Sequence, residues 1–61
     1  MPSKLSEAEI RASLTTAGYT QVHDVKYDDG LWEARAHSAT GERVEVYADR
    51  VDGSVVSAER D

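Results

Sequence analysis

Residues 32–46, WEARAHSATGERVEV, decide the fold. Trp32, Ala34 and Ala36 alternate with Glu33 and Arg35, and Val44 and Val46 alternate with Arg43 and Glu45. Strict alternation of this kind marks strands with one buried and one wet face. Between the runs, Ala39-Thr40-Gly41 forms a three-residue hairpin loop with Gly at the position that needs a left-handed backbone. The predicted pairs are Ala36–Val44, Ala34–Val46 and Trp32–Ala48 on the apolar side. Arg35–Glu45 and Glu33–Tyr47 stand on the other.

Upstream, Asp29-Gly30 favours a type I′ turn. A two-residue loop there pairs Tyr27 with Trp32, Val25 with Ala34 and His23 with Ala36. The opposite side pairs Lys26 with Glu33 and Asp24 with Arg35. A one-residue slip would set Val25 against Glu33 and break both faces. Both hairpins agree on which residues of the middle strand face inward, and such agreement marks a foldable sequence. Downstream, Gly53 marks another turn, and a short fourth strand resumes at Val55 or Val56. A three-residue and a four-residue loop there would bury different valines. SAERD, residues 57–61, reads as a solvated, frayed tail.

LSEAEIRASLTTAGY, residues 5–19, carries helix signals at both ends. Ser6 is an N-cap, Glu9 completes a capping box, and Leu5 can staple onto Ile10. Glu7 and Glu9 suit the positive end of the helix dipole. Gly18 can adopt the left-handed C′ conformation, folding Tyr19 back on Leu14. Ile10, Leu14 and Ala17 form one apolar stripe, while Glu7, Arg11 and Thr15 face water. The fold class is therefore α+β: an N-terminal helix packed on one face of a three- to four-stranded antiparallel β-meander. Residues 1–5 are a tail, 6–57 a single domain and 58–61 a second tail.

Composition narrows the function. A chain of 61 residues makes one domain with a small core. There is no cysteine, hence no disulfide and no thiolate metal site. The net charge of −5 argues against nucleic acid, whose binding uses a basic patch. No apolar run approaches the ~18 residues of a membrane span, and MPSKLSEAEI lacks the apolar core of a signal peptide.

No catalytic, cofactor or metal signature emerges. His23 is predicted on the helix side and His37 on the open side, so the histidines cannot share an ion. The acidic turns YDDG and DRVDG fail as calcium loops: counting back from Gly30, Val25 and Tyr27 fall where Asp is required, and from Gly53, Ala48 and Arg50 do. Ser38 adjoins His37 on an exposed hairpin without a cleft. The paired carboxylates have cationic neighbours that keep them ionised. So small a module leaves little room for a ligand pocket. Trp32 belongs to the core, whereas Tyr47 is predicted exposed, and exposed aromatics anchor interfaces.

The order of helix, Gly18-Tyr19, three strands and Gly53 resembles the PepSY domain, a small module of bacterial peptidase propeptides and cell-envelope proteins. The shared elements run from about Ser6 to Val56: Trp32, Ala34 and Ala36 on the middle strand, Gly41, then Val44, Val46 and Asp49, and Gly53 before Val55. Arg50 and Asp52 stand where the family often has Pro and Thr. The resemblance implies a non-enzymatic, periplasmic or secreted module that binds or restrains a peptidase, with a cytoplasmic setting as the alternative. It carries no catalytic residue onto this chain.

The residues thus point to a small non-catalytic protein-binding module. Its expected docking surface is the open sheet face: Glu33, Arg35, Glu45 and Tyr47, with Lys26 and Asp24 at the edge. The expected partner is a protein, with no nucleic acid, no membrane insertion and no cofactor, and the chain is a monomer or weak homodimer. The alternative is a structural or self-associating module or spacer that pairs through a sheet edge.

Overall fold

A computed structural model describes residues 4–61. Helix α1 (Glu7–Thr16) is followed by β1 (Thr20–Asp28), β2 (Leu31–His37), β3 (Arg43–Asp49) and β4 (Val55–Arg60). The strands form one antiparallel sheet in the order β1-β2-β3-β4, with β1 and β4 at its edges. This is the expected α+β meander with the fourth strand present.

The helix ends as its sequence dictates. Glu9 N–H donates to Ser6 Oγ at 3.2 Å, and Ser6 N–H donates to Glu9 Oε1 at 2.8 Å, closing the capping box. At the far end Gly18 has φ +105°, Tyr19 N–H donates to Leu14 O at 3.1 Å, and Gly18 N–H donates to Thr15 O at 3.0 Å. These are the paired bonds of a Schellman motif. Ile10 and Leu14 are fully buried, against a sheet face of Trp32, Ala34, Ala36, Val44, Val46 and Ala48. Ala17 departs from the expected stripe: it is the C-cap residue and is exposed. Ser13 takes a half-buried place instead, donating its hydroxyl to Gly53 O at 2.6 Å.

The β2–β3 hairpin has the predicted register throughout, from His37 opposite Arg43 to Leu31 opposite Asp49. Gly41 has φ +88°, and its N–H donates to Ser38 O at 2.9 Å, closing the turn. In the first hairpin Asp29 and Gly30 both have positive φ, +51° and +85°, as a type I′ turn requires. Beyond the predicted pairs Lys26–Glu33 and Tyr27–Trp32, however, β1 departs from the regular ladder.

Two bulges interrupt β1, one between Lys26 and His23 and one between His23 and Thr20. Asp24 and Val25 together oppose Ala34, and Gln21 and Val22 together oppose Ala36. The first residue of each pair is left-handed, with φ +52° at Asp24 and +53° at Gln21. His23 consequently stands opposite Arg35, not Ala36, and is exposed rather than on the helix side. The predicted Asp24–Arg35 ladder pair is likewise lost. The cause is the spacing of the valines. Val22 and Val25 are three residues apart, so a regular strand would send them to opposite faces. A bulge at each brings both half-buried against the core. Half-burying a valine yields about 1 kcal/mol, comparable to the cost of one left-handed residue. Arg11 adds to the balance: its Nη1 donates to Val22 O at 2.9 Å, while its Nε pairs with Glu7 Oε2 at 3.1 Å. Arg11 thus covers the bulge instead of facing only water.

The last turn takes the longer of the two loop lengths. Asp49 N–H donates to Ser54 O at 2.8 Å around Arg50, Val51, Asp52 and Gly53. Asp49 Oδ1 accepts from Val51 and Asp52 N–H, and Asp52 Oδ1 accepts from Ser54 N–H at 2.9 Å. That last bond holds the Asp52 carboxyl below its ordinary pKa. A bulge follows, with Tyr47 opposite Ser57 but Ala48 opposite Val55. Neither valine is buried: Val55 is 37% and Val56 57% exposed, contrary to the expectation that one would enter the core. Nor is SAERD a frayed tail. Ser57–Arg60 belong to β4, and Asp61 N–H donates to Arg43 O at 3.0 Å.

Candidate docking face

Helix α1 covers one side of the sheet, and the other side lies open. Two cross-strand rows run through the middle of that side. One runs His23, Arg35, Glu45, Glu59, and the other Lys26, Glu33, Tyr47, Ser57. All six residues expected at the docking surface lie on this face, and the structure adds His23, Ser57 and Glu59 to it.

Arg35 is the hub of the β1 side. Asp61 Oδ2 lies 3.2 Å from its Nη1 and Asp24 Oδ2 3.9 Å from its Nε. The bulge thus removes the ladder pairing of Asp24 with Arg35 without breaking their charge contact. Lys26 Nζ stands 4.0 Å from Glu33 Oε1. Glu45 is opposite Arg35 as predicted, yet among the described residues its side chain bonds to Tyr47 instead. The phenol of Tyr47 donates to Glu45 Oε1 at 2.7 Å.

Tyr47 is half-buried, not exposed. Strand β4 extends far enough to place Ser57 beside it, so it is flanked by Glu33 on one side and Ser57 on the other. Its pKa is pushed up to about 12. The bond to Glu45 is the first cause, followed by desolvation and then the negative charges of Glu45, Glu59 and Glu33. All three physical effects favour the neutral phenol.

A depression of about 380 Å³ opens on this face at the Asp24–Val25 bulge. Asp24, Lys26, Glu33, Arg35 and Glu45 line it, together with Val25 and Ala34, whose side chains pack toward the core. The sequence argued against such a space. Its volume reaches the lower end of the ~300–1,000 Å³ usual for ligand pockets, but it is a broad surface hollow and not an enclosed cavity.

The remaining candidates have structural duties. Ser38 Oγ accepts from Glu42 N–H at 3.2 Å and lies 3.0 Å from Thr40 Oγ1, so it closes the second turn. Asp49 and Asp52 direct carboxylate oxygens to backbone N–H groups of the last turn. His23 Nδ1 donates to Gln21 O at 2.7 Å. The corrected register moves His23 to the open side, opposite Arg35, where His37 also lies, opposite Arg43. No group of three or more His, Asp or Glu side chains among the described residues is placed to hold a metal ion.

Glu59 was hidden in the sequence because its strand ends in polar residues and read as a tail. The available signal was the run VVSAER, six residues without Gly or Pro directly after a turn. Among the described residues, no helix is long and apolar enough to cross a membrane.

Neither a curated protein nor a solved structure matches this chain. A family model does, over residues 1–59: PepSY_2, described as peptidase propeptide and YPEB domain. With nearly its whole length matched and the helix and meander in place, the chain belongs to the PepSY_2 family.

Proposed function

We propose that this domain is a non-catalytic module that docks on a protein partner, a peptidase of the cell envelope or exterior, through the open sheet face. Family membership supports the propeptide-like role. The observation that carries the choice of surface is the hollow on the uncovered face, lined by Asp24, Lys26, Glu33, Arg35 and Glu45 beside Tyr47. The action is steric: a four-stranded sheet presents a rigid surface and covers the partner without chemistry.

Capture from an envelope extract, with the retained proteins identified, tests this. The wild-type domain is expected to retain a peptidase that the Arg35→Glu, Tyr47→Ala double variant does not. Equal capture by a correctly folded variant removes the surface assignment. Absence of any peptidase removes the partner class.

A second reading is self-association through β4, supported by the exposure of every residue from Val55 to Arg60 on this edge strand. Edge strands present unpaired N–H and C=O groups. Light scattering across a dilution series tests it, and a strict monomer at every concentration removes it.

A further inference from the structure

The charges of the open face are unevenly compensated. Glu33 has Lys26, and Asp24 and Asp61 share Arg35. Glu42, at the second turn, has Arg60. Glu45 and Glu59 face each other across β3 and β4, and among the described residues neither has a cation within 4.0 Å. Like charges directly opposite each other destabilise a sheet. Tyr47 relieves only part of this, by donating one hydrogen bond to Glu45. Of this pair Glu45 lines the hollow, and Glu59 stands beyond it on β4.

Resting on the docking role just proposed, we infer that the occupant of this face is an extended protein segment carrying a Lys or Arg, whose cationic head sits at Glu45 and Glu59. The aliphatic stem of such a side chain lies across the hollow while its head reaches the carboxylates, the way long basic side chains divide their surface. An acidic segment meets Glu33, Glu45 and Glu59 together and is repelled. The chain's net charge of −5 acts in the same direction at longer range, speeding encounter with a basic partner and opposing a second copy of itself.

The test titrates the domain, with NMR detection, against three blocked peptides of alternating sequence: valine with lysine, valine with glutamine and valine with glutamate. The lysine peptide is expected to shift the amides around Arg35, Glu45, Tyr47 and Glu59 saturably, and the glutamate peptide is expected not to. Glu45→Gln and Glu59→Gln each weaken the lysine peptide by about three- to fivefold, the size of a half-exposed ion pair. Glu7→Gln on the helix removes the same charge elsewhere and leaves affinity unchanged. The spectra report folding of each variant, and either open-face variant suffices. Equal loss in Glu7→Gln, shifts spread over the whole surface, or equal binding of all three peptides overturns the inference. Peptidase capture that survives Glu45→Gln and Glu59→Gln but not the Arg35, Tyr47 double variant would overturn this inference and leave the docking role standing. Lysine-peptide binding without any peptidase captured would do the reverse.

Discussion

The Ser13 hydroxyl donates to the Gly53 carbonyl at 2.6 Å, and through that contact the helix rests directly on the β3–β4 turn. Leu5 N–H donates to Arg50 O at 2.8 Å beside it, so two backbone carbonyls of the turn are held from the N-terminal side. Gly53 is buried, with φ +74°. A Cβ there would lie 2.9 Å from Ser13 Oγ and 3.1 Å from Leu5 Cδ1.

Gly53→Ala therefore meets both backbone strain and a clash. It is expected to destabilise the fold by about 2–3 kcal/mol. Gly41→Ala has the strain alone, since nothing lies within 4 Å of its Cβ position, and should cost about 1 kcal/mol. Urea denaturation of both variants checks the difference; equal losses would mean that the close approach contributes nothing.

The β1 bulges make a second prediction. Gln21 has φ +53°, a conformation that a β-branched residue avoids. Gln21→Val should lose about 1–2 kcal/mol although it raises strand propensity, whereas Gln21→Gly should be neutral or gain a few tenths. A stabilised valine variant would show that the strand prefers the regular ladder.

The capping box is the third. Ser6→Ala removes the acceptor of Glu9 N–H and should cost about 1 kcal/mol. In so short a helix the loss should also appear as faster amide exchange in the first turn of α1, with the β2–β3 ladder changed only through global stability.

The fourth concerns Tyr47. Its pKa is raised from 10.0 to about 12. The fold therefore favours the protonated phenol. That contribution is fully present below pH 10 and is lost as pH rises through 12. Phenolate absorbance, taken as the difference between wild type and Tyr47→Phe, should show this late titration. Glu45→Gln should bring it back towards 10, because the bond to Glu45 is the leading cause. A normal titration in the wild-type protein would remove the Tyr47–Glu45 bond.

The contrast between β2–β3 and β1 shows what could be read in advance. WEARAHSATGERVEV uses period-2 alternation and a three-residue turn that each specify the same register, and every predicted pair is found. In β1 the local signal near Asp29-Gly30 holds only as far as Lys26. Beyond it, the three-residue spacing of Val22 and Val25 competes with the pleat, and tertiary burial decides. Arg11 belongs to the same event, because only the folded chain brings it to Val22 O. The open face was legible wherever it depended on β2 and β3. Glu59 and the half-burial of Tyr47 were not, since both depend on β4, whose polar sequence gives little sign that it pairs.

The left-handed residues of β1 also limit how copies could assemble. Their bulges break the outward ladder of that edge, and Val22 O and Gln21 O are already engaged by Arg11 and His23. Among the described residues, the longest regular stretch of edge is Ser57–Arg60 of β4, past the bulge at Val56. A ring or fibre built by strand pairing requires two different edges, one to receive and one to add. A contact of β4 against β4 through this stretch would close at two copies. The irregular backbone of β1 thus works against sheet growth from that edge, in addition to the exposed charges of Asp24, Lys26 and Asp28 along it.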